Sequence, residues 1–181
     1  APTLSITSDA NQLKAGETAT LTFTFSEPPT GFTESDITVA HGALSSFAPT
    51  NDPKVYTAVF TPDASFSGTG SVSVPQGSYT DHVGNAGGSG TAVSLSIDTV
   101  LPAVTSIAIT GVDSINAAKA TALDVGDKIK VTLTMSEATT VTGSPTYTVD
   151  VGGVSRTATY SSGSGTTSLV FYYTLVSGDN D

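Results

Sequence analysis

One pattern occurs twice in this chain. Gly16-Glu-Thr-Ala-Thr-Leu-Thr-Phe-Thr-Phe-Ser-Glu27 recurs as Gly126-Asp-Lys-Ile-Lys-Val-Thr-Leu-Thr-Met-Ser-Glu137. In both copies apolar residues alternate with polar ones, mostly Thr, and the run closes on Ser-Glu. Successive side chains of a strand point to opposite faces, so this alternation fits a strand with one dry and one wet face. The copies lie about 110 residues apart, the length of one β-sandwich domain. The pattern predicts two tandem domains of one kind. Tandem sandwiches are spacers or binding modules more often than enzymes.

Composition points the same way. Charged residues make up 12% of the chain, about half the usual share, and Thr, Ser, Gly and Ala take their place. Thr is β-branched and suits a pleated surface, while long helix-forming side chains are scarce. The class is all-β. The 16 acidic residues against 6 basic ones give a net charge of −10. Such a field repels nucleic acid and anionic membrane surfaces, and it suits carboxylates that meet cations. The plainer reading is that acidity keeps a secreted protein soluble. Cysteine is absent, so any cross-linking must come from another source, such as a metal. No apolar run is long enough to span a bilayer as a helix. The opening Ala-Pro-Thr reads as mid-linker, which predicts a piece of something larger.

Strands are expected near 3–8, 17–26, 36–40, 43–48 (the weakest), 54–61, 70–75 and 92–97. Phe23, Phe25, Ile37, Val39, Tyr56, Ala58, Phe60, Val72, Val74, Leu95 and Ile97 would face the core. Seven short strands at this spacing predict a two-sheet Greek-key sandwich over residues 1–98. Residues 99–102, within Asp98-Thr-Val-Leu-Pro102, form the linker. Its Pro blocks ladder hydrogen bonds and restricts the residue before it, so two domains stay close with limited swing. Residues 103–181 hold a second unit, with strands near 104–110, 127–136, 145–151, 154–160 and 167–176. That is two strands fewer than the first unit, which predicts an incomplete sandwich.

Several segments resemble a known family. Ala1-Pro-Thr-Leu-Ser-Ile-Thr-Ser-Asp9, Leu13 to Glu27, Ser35-Asp-Ile-Thr-Val39, Tyr56-Thr-Ala-Val-Phe-Thr-Pro62 and Tyr79-Thr-Asp-His-Val-Gly-Asn85 resemble bacterial Ig-like repeats. These are the repeats of large, type I-secreted surface adhesins of the RTX (repeats-in-toxin) kind. The second unit looks like a divergent relative. The resemblance implies two tandem Ig-like Greek-key domains on the bacterial cell surface, in a stalk or near-tip segment made rigid by Ca2+. The implied partners are neighbouring Ig-like domains of the same chain, with a surface ligand reached through an adjacent domain. A monomer is expected, without nucleic acid and without direct membrane insertion.

Calcium takes 6–8 oxygens from carboxylates, carbonyls and water. No EF-hand loop is present, so ligands would converge from separate loops. If strands alternate direction, Glu27, Asp81 and Asn85 share one end of the first unit, with Glu34 or Asp36 close by. Asp9 and Asp63 then lie at the opposite end beside Asp98, and Glu137, the repeat of Glu27, projects towards that junction. Asp179 and Asp181 read as half of an oxygen-rich loop. Each has a plainer role: Asp81 and Asn85 as turn residues, Asp98 as a solvated linker residue, Glu27 as the start of the turn at Pro28-Pro29.

Catalytic signals are thin. His82 beside Asp81 is no triad without a serine placed by a nucleophile elbow, and two histidines without cysteine disfavour zinc. Tyr147, Tyr160, Tyr172 and Tyr173 fit core and cross-strand packing better than a ligand patch. Together with the family resemblance, which implies the adhesin role, these readings predict a non-enzymatic, calcium-stabilised extender of an adhesin that serves cell adhesion and biofilm formation. The alternatives are a tip region that binds glycan, peptide or ice, and an accessory module of a secreted enzyme.

Overall fold

A computed structural model describes residues 1–179. The chain divides into two compact units, one over Ala1–Leu101 and one from Pro102 onward. The break falls inside the linker that the Pro and the composition marked.

The first unit has eight strands: β1 (Leu4–Ser8), β2 (Gln12–Lys14), β3 (Ala19–Phe25), β4 (Thr38–Ala40), β5 (Gly42–Pro49), β6 (Val55–Pro62), β7 (Ser67–Val74) and β8 (Gly90–Asp98). They form two four-stranded sheets, β1-β3-β6-β5 and β2-β8-β7-β4. This is the Ig-like Greek-key sandwich. Its seven expected strands are all present. The addition is β2, three residues that leave the first sheet after Ser8 and pair in parallel with β8. A segment that short shows no period, so pattern reading passed over it.

Alternation makes the core. Along β3, Ala19, Leu21, Phe23 and Phe25 are buried while Thr20 and Thr24 are exposed. They meet Ala58, Phe60, Val72, Val74, Leu95 and Ile97 from the other strands, together with Leu4, Ile6 and Leu13. Of the expected core residues, Ile37, Val39 and Tyr56 are only partly buried and pack against this cluster. Phe32 and Tyr79 are buried although they lie in loops. Phe25 sits edge-on to both, with ring centres 4.9 Å and 4.8 Å away, a geometry aromatic rings favour. The Tyr79 hydroxyl donates to the Gly88 carbonyl at 3.0 Å. Gly87 is needed beside it, since a Cβ there would lie 2.3 Å from the ring.

The second unit has β9 (Val104–Val112), β10 (Lys128–Thr139), β11 (Thr146–Val151), β12 (Val154–Ser162) and β13 (Thr166–Thr174). All five expected strands are there. They lie in one antiparallel sheet, ordered β11-β12-β13-β10-β9, and no second sheet faces it among the described residues. Val131, Leu133, Val149, Val151, Ala158, Leu169 and Phe171 form its core. Tyr147, Tyr160 and Tyr173 pack on this cluster as expected. Tyr172 is different: it points to the other face, under Lys128 at 5.6 Å.

Candidate functional site

Strand polarity sorts the acidic residues of the first unit to its two ends. Ser8, Ala19, Pro62 and Asp98 all terminate strands at the linker end, which gathers Asp9, Asp63 and Asp98 there. Asp9 accepts the Thr20 N–H at 2.7 Å. The Asp63 carboxylate lies 4.0 Å from His41, whose ring stacks on Phe66. Asp98 is exposed and lies opposite Lys14 on β2 and Ser67 on β7. The sequence offered no reason to single out Thr99, yet it ties this end together. It is buried, donates to the Asp63 carbonyl at 2.6 Å and accepts the Phe66 N–H at 2.9 Å.

The opposite end holds Glu27, Asp36, Asp81 and Asn85. A bridge between Thr30 and Thr80 sets their two loops side by side. Asp36 sits in a single 3₁₀ turn over Glu34–Asp36 and accepts both the N–H and the hydroxyl of Thr33. Asp81 and Asn85 do come together, in direct contact. The buried Asp81 carboxylate accepts the Val83 N–H, the Asn85 N–H and the Asn85 side-chain amide at 3.0, 2.8 and 2.8 Å. The Asn85 amide, followed by the two N–H groups, holds this carboxyl below the usual carboxylate range. Its hydrogen bonds close a loop.

The same loop is built again in the second unit. Asp113 accepts the Ile115 and Ala117 N–H groups, as Asp81 accepts those of Val83 and Asn85. The backbone pairs Asp113 with Ala117 and Asp81 with Asn85 in the same way. Gly84 and Asn116 supply the left-handed residue at the fourth position, a conformation that Gly and Asn tolerate best. The signal was present as Asp followed four residues later by a loop exit, but the side chains between differ.

In the second unit, Glu137 lies in β10, half-buried. Its Oε1 is shielded from solvent and has no hydrogen-bond partner among the described residues. Asp179 is fully engaged: Arg156 holds one oxygen through Nη2 at 2.6 Å and Nε at 2.8 Å. The Tyr173 hydroxyl and the Val176 N–H hold the other. The Val176 N–H and then Tyr173 lead the effects that hold its carboxyl below the usual range. Asp179 therefore fills an ion pair rather than half of an open loop. Asp181 lies outside the described residues.

The cation reading meets a plain geometric test here. Among the described residues no three His, Asp or Glu side chains converge on a common point, so side chains alone do not complete a calcium shell. What the structure does supply is charge. Nine acidic residues face two lysines up to Leu101, and seven face four basic residues from Pro102 on. A shallow hollow of about 280 Å³ at the linker end, lined by Gly16, Pro62, Ala64 and Leu101 among others, contains one titratable side chain, Glu17. It is smaller than most ligand pockets. No helix among the described residues is long and apolar enough to cross a membrane.

A search of curated proteins finds no match to the chain. The family model described as "Bacterial Ig-like domain" matches residues 1–99, more than half of the sequence. That span coincides with the first sandwich through the end of β8 and the Thr99 anchor. Domains of this kind are typically non-catalytic structural modules, often on the surface or outside the cell. In sequence and in fold, the chain belongs to the bacterial Ig-like domain family.

Proposed function

We propose that this chain is an extender segment of a bacterial cell-surface adhesin that holds a ligand-binding module away from the cell. The observation that carries the reading is the complete Ig-like sandwich of unit 1, matched by the family model and followed across a Pro-containing linker by a second unit of related strand order. Such a module adds length by repetition. A strand of eight residues rises roughly 25–30 Å at about 3.3 Å per residue. The test is mechanical: the whole chain, pulled end to end, should give two separate unfolding events, with that of the two-layer unit at the higher force. A featureless extension would overturn the extender reading.

We further propose that Ca2+ stabilises the segment. Support comes from the gathering of Asp9, Asp63 and Asp98 at one end of unit 1 and from the Glu137 oxygen that has no hydrogen-bond partner among the described residues. A buried anionic oxygen without a donor is costly, and a cation relieves that cost. Backbone carbonyls and water would have to complete the shell. A ligand that binds only the folded state raises the melting midpoint by mass action. Melting the chain in EDTA and in millimolar CaCl₂ should therefore give a higher midpoint with calcium. Superimposable curves, together with identical scattering profiles, would remove the calcium proposal and leave the extender reading standing.

A further inference from the structure

Thr99 is the last anchored residue of unit 1. It is 6% exposed, whereas Val100 and Leu101 after it are 40% and 71% exposed. Its N–H donates to the Phe66 carbonyl at 2.8 Å, and its hydroxyl accepts the Phe66 N–H while donating to the Asp63 carbonyl. Asp63 directly follows β6 of one sheet, and Phe66 directly precedes β7 of the other. One side chain therefore grips both ends of the crossover between the sheets. Because the site is buried, loss of the hydroxyl leaves its partners without water to replace it.

The strand leading into Thr99 adds a second restraint. On one side β8 pairs antiparallel with β7. On the other it pairs in parallel with β2, Gln12 beside Ser96, Leu13 beside Ile97 and Lys14 beside Asp98. The Ser96 N–H also reaches the Asn11 carbonyl at 2.8 Å. The chain enters β2 from its N-terminal side and leaves β8 at its C-terminal end. Tension on the two ends of unit 1 thus draws parallel strands past each other along their axes, which strains all their bonds at once. A hairpin pulled at its open ends would instead lose its bonds one by one. Leu13 and Ile97, both buried, add packing to the same seam.

We infer that Thr99 and the β2–β8 pair form a mechanical latch, which sets the force at which unit 1 opens when drawn end to end. The Thr99 hydroxyl takes tension arriving through the linker and shares it between the two sheets through Asp63 and Phe66. The parallel pair takes the remainder in shear. The latch belongs to unit 1 itself; its use in a stretched chain rests on the extender reading.

The test is unfolding of the whole chain at constant force, where the unfolding rate reads the barrier. Thr99→Val keeps the shape and removes the hydroxyl, so unit 1 should unfold at least about tenfold faster. Thr99→Ser, which keeps the hydroxyl, should stay within about threefold of the parent chain. Phe60→Leu truncates a fully enclosed ring on β6, a strand that pairs with neither β2 nor β8. It should lower the melting midpoint yet leave the rate under force within about threefold. The chain has no cysteine, so Gln12→Cys combined with Ser96→Cys, both at exposed positions, gives a single bridge across the pair. Its oxidation should shorten the length released by unit 1 by about 300 Å, and reduction should restore it. The latch is overturned by a Thr99→Val rate equal to the parent's, by a Phe60→Leu rate raised as much as that of Thr99→Val, or by a bridge that does not form. Any of these with stepwise extension leaves the extender reading standing, whereas a featureless extension removes both.

Discussion

Unit 1 and unit 2 use one strand pattern in two different settings. In unit 1 the repeated strand β3 lies under a second sheet, and Leu21 and Phe23 are completely shielded. In unit 2 the repeated strand β10 belongs to a single sheet; Val131 at its centre is shielded, but Leu133 retains 8% exposure. The edge strand beside it shows the contrast most clearly. Strand β1 is buried on one face, whereas β9 is exposed over seven of its nine residues. Alternation alone therefore specifies which face of a strand turns inward. Whether that face becomes dry depends on a second layer, which local sequence does not encode.

The largest expected effect follows from this contrast. Phe23→Ala should cost about 3–5 kcal/mol, because a fully enclosed ring leaves a cavity that two packed sheets cannot close. Leu133→Ala, at the repeat position, should cost about 2 kcal/mol, the lower end for such a truncation, since its site is open on one side. Urea titration of the two variants, with amide exchange assigning each transition to its unit, checks the order. Equal costs would mean that unit 2 is as well covered as unit 1.

Acid should separate the units next. The Asp179 side chain is only 1% exposed, and its carboxyl is held below the ordinary range. A carboxylate whose folded-state pKa is depressed contributes stability above its unfolded pKa, about 4, and loses that contribution as pH falls through the folded value. Asp127, lowered mainly by the Asp124 N–H and then by Lys119, acts in the same sense. Both lie in unit 2, while unit 1 has only Asp81 in this class. Unit 2 should therefore lose stability more steeply as pH falls below about 4. Asp179→Asn should lower its neutral-pH midpoint and flatten the acid limb. An acid limb unchanged by that substitution would show that the Arg156 pair contributes nothing to the difference.

How much of this was legible beforehand depends on the length of the signal. Long alternating runs such as β3, β10 and β13 were visible, and so was the break at Asp98–Pro102. Strand β2 was not, because three residues carry no period and its existence depends on β8 lying alongside. Phe32 and Tyr79 were missed because loop residues become core only when the chain folds back over them. Strand direction sorts the acidic residues of unit 1 to its two ends, but their contacts were not readable. Asp81 and Asp179 have their oxygens occupied by N–H and O–H donors that only the folded loops bring near. Counting carboxylates gives charge; it does not give convergence.

The two aspartate-closed loops sharpen the comparison further. They make the same hydrogen bonds in different environments: Asp81 is 4% exposed, whereas Asp113 is only partly buried. Removing a buried acceptor leaves its N–H partners without water to replace it, so the penalty rises with burial. Asp81→Ala should lower the unit 1 midpoint more than Asp113→Ala lowers that of unit 2, as read by thermal melts. The reverse order would mean that the loop's contribution is set by its neighbours and not by burial of the closing carboxylate.

The smallest expected effect is at the turn the units share. Glu17 accepts the Lys14 N–H at 3.1 Å, and its ion pair with Lys14 at 3.5 Å joins two well-exposed side chains. Exposed pairs of this kind contribute little once side-chain entropy and screening are counted, so Glu17→Gln should cost no more than about 0.5 kcal/mol. Asp127 has the same place in the repeat but also holds Lys119, whose side chain is 21% exposed and which Asp124 engages as well. Lys119 is held above its ordinary range by these two carboxylates. Asp127→Asn should therefore lower the unit 2 midpoint by more than Glu17→Gln lowers that of unit 1. Added salt should shrink the gap, because part of the Lys119 pairing faces solvent. A gap that salt leaves unchanged would assign the difference to the Asp124 N–H bond alone.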